Sequence, residues 1–226
     1  MNQTASHKSR LLLIDTVGDA PGAVLTDGDS VLASADFPLR SASAILLTEL
    51  KRMFSSSGIA LRELNGIGVI SGPGSFTGVR TGLAMAKGLC EVAALPLASV
   101  SRLQVLAEAA ELHEGFAVLD AGRSGLYVRE QRRTEPAPEF LCTVENFEAV
   151  AAGAPIVVAE QRTAELLDKL APALRELRPV DLLNPVRRCL AAGGTDVALA
   201  DANYLLAESE IYKQPRTRAA ESDPRG

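Results

Sequence analysis

Residues 71–88 read SGPGSFTGVRTGLAMAKG. Gly72, Gly74, Gly78, Gly82 and Gly88 fall on one strand-to-helix turn and on the helix predicted after it, over 75–93. A glycine inside a helix costs about 1 kcal/mol against alanine. Gly78, Gly82 and Gly88 must therefore be offset by something that needs the missing side chain. The two candidates are a ligand and another helix.

The phosphate-binding templates do not fit. G-x-x-x-x-G-K-[ST] needs its second glycine at Thr77, but the glycine comes one residue later, at Gly78, and Val79-Arg80-Thr81 follows it. The dinucleotide fingerprint G-x-G-x-x-G puts its third glycine at Thr77. A nucleophile elbow, G-x-S-x-G, fails at Pro73 and Thr77 on either side of Ser75. An anion held by the bare helix N-terminus stays open as an alternative.

The helix reads better as a packing element. At about 100° per residue, Gly82, Ala86, Leu89 and Ala93 fall within roughly 80° of Gly78. Met85 and Val92 flank that face on one side, and Val79, Leu83 and Cys90 on the other. Arg80, Lys87 and Glu91 are confined to a strip about 40° wide. A surface helix needs an apolar arc of little more than about 100°, so this one is expected to be buried on two sides, by its own sheet and by a partner. Gly78, Gly82 and Ala86 form a flat ridge that another backbone could approach, by the steric logic of small-residue helix contacts. The preceding helix, over 41–56, adds a stripe of Leu46, Leu47, Leu50, Met53 and Phe54. The expected partner interface is Leu46, Leu50, Met53, Phe54, Gly78, Val79, Gly82, Leu83, Ala86 and Leu89. On this reading Gly82→Leu blocks pairing and leaves the fold intact.

Outward from this stretch, the pattern predicts the element order strand-strand-strand-helix-strand-helix twice. Leu13-Ile14-Asp15-Thr16 and Val118-Leu119-Asp120-Ala121 hold corresponding places, each an apolar strand ending in aspartate. The expectation is an α/β protein of two lobes, 1–100 and 101–226, each a mixed sheet with helices. Strands are predicted at 156–159 and 177–180 and a helix at 163–174. The closing helix is predicted at 195–209, and 213–226 is expected to be a frayed tail.

Asp15, Thr16 and Asp120, at strand ends facing one cleft, are the candidate nucleotide site, since a hard cation such as magnesium prefers oxygen ligands. The plainer reading is that each aspartate caps a turn. Gly193-Gly194 reads as a helix break, with a purine-binding turn as its alternative. Arg129, Arg132 and Arg133 read as a solvated edge, with tRNA phosphate contact as theirs. The histidines, His7 and His113, are not spaced as a metal site, and His113 is expected to end a helix. No nucleophile–base pair supports a peptidase.

Composition bounds the rest. A chain of 226 residues can bury a core without disulfide or metal staples. A net charge of −5 argues against a sequence-independent nucleic-acid binder, which needs a basic footprint. Cys90, Cys142 and Cys189 form no C-x-x-C pair and are expected to be reduced thiols. The polar first ten residues do not read as a signal peptide, and no run reaches the ~18 apolar residues of a membrane span, so a cytoplasmic protein is expected.

Ser71-Gly72-Pro73-Gly74-Ser75-Phe76-Thr77-Gly78-Val79-Arg80, continuing through Gly82-Leu83 and Ala86-Lys87-Gly88, closely resembles the signature of the TsaB (YeaZ) family. Leu12 to Thr16 resembles the family's LAIDT-like start. Asp120-Ala121-Gly122-Arg123-Ser124-Gly125-Leu126-Tyr127 resembles its DARRGEVY-like stretch, and Tyr204-Leu205 matches near the end. Arg40-Ser41-Ala42-Ser43 departs from the family's His-Ser-Glu, and 140–190 carries little that matches. The resemblance implies a two-lobe actin/Hsp70-like (ribonuclease H-like) fold, with the closing helix, here 195–209, packing back on the first lobe, and a catalytically silent relative of the transferase TsaD. It implies pairing with TsaD through helices 41–56 and 75–93, and a homodimer when alone. It also implies a TsaE-type P-loop ATPase in the larger complex, and indirect contact with tRNA. No cofactor of its own is implied; ATP or ADP would sit only at the complex interface. The alternative is a nucleotide-binding enzyme of the actin/sugar-kinase superfamily using Asp15 and Asp120.

Overall fold

The computed structural model describes residues 9–38, 42–122, 125–133, 137–151, 153–203 and 205. His7, Arg40, Ser41, Arg123, Ser124, Tyr204, positions 206–209 of the expected closing helix and the tail 213–226 lie outside the described residues.

The first sheet is built from β1 (Arg10–Asp15), β2 (Gly22–Asp27), β3 (Ser30–Asp36), β4 (Gly66–Ile70) and β5 (Leu97–Val100). Its order is β3-β2-β1-β4-β5. β1 is antiparallel to β2 and parallel to β4, and β4 is parallel to β5. β1 reads RLLLID, and everything after Arg10 is buried, as expected for a central strand covered on both faces. Helices α1 (Ala42–Ser57) and α2 (Phe76–Ala93) pack on this sheet and on each other.

The second sheet repeats the plan with β6 (Gly115–Gly122), β7 (Gly125–Gln131), β8 (Glu139–Thr143), β9 (Ile156–Val158) and β10 (Ala173–Leu174), in the order β10-β9-β6-β7-β8. β6 pairs antiparallel with β7 and parallel with β9, as β1 does with β2 and β4. Between the lobes, α3 (Arg102–Ala109) follows β5 but packs on β6 and β7. A further helix, α6 (Leu183–Ala191), follows β10 but packs back on β4 and β5. Ala117, Leu119 and Val157 accordingly join the core of the first lobe. Val118, Leu126, Val128 and Val158 form a separate outer core with Phe147 of α4 (Val144–Ala151) and Leu167, just after α5 (Gln161–Leu166). The alternation along β6 is the period of two that puts successive side chains on opposite faces.

Three expectations are corrected. The helix predicted over 163–174 is α5 followed by a 3-10 turn, Asp168–Leu170, and the short β10. Ala171 takes a left-handed φ of 47°, and Pro172 cannot continue a helix. The strand predicted over 177–180 is a 3-10 turn, Pro179–Leu182, with proline at its first position. The helix predicted over 195–209 is absent from 195–203. Gly193 and Gly194, at φ of 105° and 76°, swing the chain onto the open edge of β5. There Thr195 N donates to the Leu97 carbonyl at 2.7 Å, and its Oγ1 accepts from Ser99 N at 3.0 Å. Edge pairing thus takes the first residues of the expected closing helix, and the two glycines end α6.

Candidate functional site

The glycine-rich turn and α2 are explained residue by residue. Gly72 and Gly74 sit at φ of 111° and 145°, which L side chains rarely adopt. Ser75 caps α2 by accepting from Gly78 N at 3.2 Å. Gly78 and Gly82 then press on the end of β1. A Cβ on Gly78 would stand 2.2 Å from the Thr16 carbonyl oxygen, and one on Gly82 would stand 2.5 Å from Thr16 Oγ1. Thr16 Oγ1 donates to the Gly78 carbonyl at 2.7 Å, so the contact is a hydrogen-bonded seat for the helix.

This corrects the partner ridge. Gly78, Gly82 and Ala86 are buried against the chain's own first sheet, together with Val79 and Leu83 of the expected interface. Leu46, Leu50 and Met53 of α1 are likewise in the lobe's own core, and Phe54 and Leu89 are half-buried beside it. An all-round apolar helix shows that two faces are covered or coverable, but not which one meets the sheet. The outer face of α2 carries Thr77, Ala84, Gly88 and Val92. Val92 is 85 % exposed, Phe76 54 % and, on α1, Leu47 48 %. A Cβ on Gly88 would meet nothing within 4 Å. Ala84, Gly88 and Val92 follow one another at four-residue spacing, so a small-residue ridge does exist, turned about 120° round the helix from the predicted one. Arg80 lies over the Phe76 ring at 3.7 Å.

The second candidate is the cleft between the lobes, a cavity of about 400 Å³ lined in part by Gly74, Ser75, Arg102, Asp120, Tyr127 and Arg162. Asp15 and Thr16 are buried beneath it and turned inward. Asp15 Oδ1 accepts from Val17 N at 2.8 Å and Gly18 N at 3.3 Å, capping its own turn. Burial holds the Asp15 carboxyl above its ordinary value, with the Arg102 guanidinium and those two N–H groups pulling the other way. Asp120 accepts from Gly122 N at 2.7 Å and pairs with Arg162 at 3.2 Å. The cleft floor is occupied by a buried ion pair between Arg102 and Glu160, at 2.7 Å, that joins the start of α3 to the second lobe. Arg102 Nε has no hydrogen-bond partner. Three lining carboxylates, Asp19, Asp120 and Glu160, face two lining guanidiniums, so the cleft is not a positive cradle for phosphates.

Arg102, Glu160 and Arg162 were missed because each is an ordinary surface-type residue until the two lobes are brought together. The arginines considered for tRNA are engaged: Arg129 pairs with Glu139 at 2.8 Å, Arg132 with Glu130 at 2.8 Å and Arg133 with Glu114 at 3.5 Å. His113 lies beyond α3, which ends at Ala109, not at a helix terminus. Among the described residues, no group of His, Cys, Asp and Glu could hold a metal ion, and no helix is long and apolar enough to cross a membrane.

The doubled sheet order and the glycine turn agree with the comparisons to known proteins. A family model described as TsaD: tRNA N6-adenosine threonylcarbamoyltransferase matches residues 39–165. The tRNA threonylcarbamoyladenosine biosynthesis protein TsaB of Escherichia coli is 34 % identical over 130 residues, 56 % of each chain. YeaZ from Pseudomonas aeruginosa superposes with a TM-score of 0.70 at 25 % identity, over 87 % of this chain and 100 % of that one. The chain belongs to the TsaB/YeaZ family. The aligned segment spans about half the length of the curated TsaB relatives that it matches. The ethanolamine utilization protein EutJ from Carboxydothermus hydrogenoformans shares the fold alone, with a TM-score of 0.50 at 12 % identity over 82 % of this chain and 90 % of that one. Both lobes are therefore those of the actin-like, ribonuclease H-like fold.

Proposed function

We propose that this chain is a non-catalytic subunit in the biosynthesis of threonylcarbamoyladenosine in tRNA, and that it pairs with a TsaD-type transferase through the outer face of α1 and α2. The observation that carries this reading is the ridge Ala84–Gly88–Val92, on two helices that also expose Leu47 and Phe76 and whose inner faces are already filled. Apolar surface left uncovered on an otherwise well-packed lobe is the usual mark of a protein contact. The family membership supports a TsaD-type protein as that partner. The same face serves for self-association when the partner is absent. A TsaE-type P-loop ATPase joins the larger assembly, tRNA is met through the partner, and any ATP or ADP is held at the interface. The assembly works in the cytoplasm.

The cleft supports the non-catalytic half of the proposal. Asp15 is spent on its own turn, Asp120 is paired with Arg162, and an ion pair fills the floor. Micromolar binding of magnesium ATP, lost in Asp15→Ala, would instead favour the kinase-like alternative.

The test is co-purification with TsaD from the same organism, followed by a tRNA-modification assay with and without this chain. Val92→Asp and Gly88→Arg are expected to abolish co-purification and to lower modification, with circular dichroism unchanged and a melting temperature no lower than that of the parent. Undiminished pairing in both variants would overturn the assignment of this face.

A further inference from the structure

Glu139, on β8, gathers hydrogen bonds from three separate segments. Arg129 on β7 donates to Oε1 at 2.8 Å. Ser101 Oγ, at the junction of β5 and α3, donates to Oε2 at 2.8 Å, and Asn203 Nδ2 donates to the same oxygen at 3.0 Å. The carboxylate side chain is only 12 % exposed. Hydrogen bonds to an ionised acceptor are about twice as strong as neutral ones, so this is a strong point of convergence.

Asn203 is also tied to the glycine-rich turn. Its N–H donates to the Ser71 carbonyl at 2.7 Å, and its own carbonyl oxygen lies 3.3 Å from where a Cβ on Gly72 would stand. The Gly72 carbonyl accepts from Arg102 N at 2.7 Å, so the turn is held from both sides. Upstream, the same segment crosses α2. Lys87 Nζ donates to the Ala198 and Ala200 carbonyls at 3.4 and 3.0 Å, while Thr195 pairs with β5. Residues 195–203 thus touch the edge of the first sheet, the middle of α2 and the turn that feeds α2, and they finish on the second lobe. Covering the edge of β5 requires only the first of these contacts.

We infer that residues 195–203 are a clasp, anchored on Glu139, that fixes α2 against the second lobe. At about 100° per residue, Lys87 lies about 60° round the helix from Ala84 and about 100° from Gly88. The clasp therefore meets α2 on one flank of the outer ridge, and Leu199, between the two residues whose carbonyls Lys87 holds, is 79 % exposed. Its bearing on partner docking rests on the function proposed above; the clasp itself does not.

Hydrogen–deuterium exchange by mass spectrometry on the full chain, without any partner, is the test. Asn203→Ala is expected to speed exchange in 195–203 and in the Ser71 to Gly74 turn by about tenfold, the equivalent of one charge-assisted hydrogen bond, and to leave β1 and β4 unchanged. Glu139→Ala should reproduce that pattern. Lys87→Met should speed exchange near 196–200 without reaching the turn. The inference is overturned if Asn203→Ala or Glu139→Ala leaves the segment and the turn as protected as before, or if β1 and β4 loosen equally, which would mean general destabilisation. Because no partner is present, this result stands or falls separately from the co-purification result.

Discussion

Both lobes thread five strands in one order, but they clothe them differently. The helix after the fourth strand of the plan has 18 residues in the first lobe (α2) and 6 in the second (α5). The helix before that strand has 16 residues in α1 against 8 in α4, and the fifth strand 4 in β5 against 2 in β10. At about 1.5 Å per residue α2 runs about 27 Å, whereas the five-residue β4 beneath it, at about 3.3 Å per residue, spans about 17 Å. In the second lobe α5 and the three-residue β9 are both about 10 Å long. The second lobe's helix is sized to its sheet; the first lobe's exceeds it. Surface beyond what a sheet needs for cover is available for something else, and the first lobe holds the exposed Leu47, Phe76 and Val92.

The comparison breaks first at Phe147. Among the described residues this ring is the largest fully buried side chain, and it sits in the second lobe's own small core, edge-on to Phe116 with centroids 5.4 Å apart. Phe147→Ala is expected to cost about 4 kcal/mol, read as a shift in the urea midpoint. Exchange should rise in β7, β8 and α4 while β1 and β4 stay protected. Equal loss in both lobes would mean that the outer core is not a separate unit.

Gly82→Leu comes next. The sequence pattern predicts lost pairing on an intact fold, but the structure predicts a damaged fold. The new side chain would enter the space of Thr16 Oγ1 and of Val69, whose Cγ2 would lie 3.3 Å from the added Cβ. Overpacking of this kind costs about 3 kcal/mol, visible as a lower melting temperature of the chain alone. A variant that melts like the parent but fails to pair would restore the original ridge.

Asp15→Asn should give a smaller, pH-dependent effect. Burial raises the Asp15 carboxyl in the folded chain above its ordinary value of 3.8. Its contribution is therefore most favourable below that value and is lost as pH rises through the raised one. Relative to the parent, the asparagine variant is expected to gain stability over an interval of rising pH that starts at the ordinary value, measured as the difference in urea midpoints. A difference that falls over that interval would show that the attraction of Arg102 outweighs burial.

How much could be read from the chain follows from the range of the interactions. The doubled order, the start of α2 at its Ser75 cap and the buried run of β1 are local patterns, and the sequence predicts them. The face of α2 that meets the sheet is set by Thr16, which precedes Gly78 by 62 positions, and periodicity carries no such information. Likewise, the Arg102–Glu160 pair and the Glu139 cluster need both lobes in place before they exist. The difference at 195–203 has another cause: the two glycines turn the chain onto an unpaired strand edge.

Gly88 gives the smallest effect and the sharpest contrast with Gly82. Both lie within α2 at helical φ, so both carry the same backbone cost. Gly82 is compensated by its contact with Thr16; Gly88 has open space where a Cβ would stand. Gly88→Ala is therefore expected to stabilise the isolated chain by about 1 kcal/mol, whereas Gly82→Ala should destabilise it. Thermal melts of the two variants side by side would decide. If Gly88→Ala stabilises the chain and also weakens pairing with TsaD, the glycine is retained for close approach of a partner at the cost of helix stability. If it stabilises the chain and pairs as before, the outer ridge docks its partner without needing backbone contact at that position.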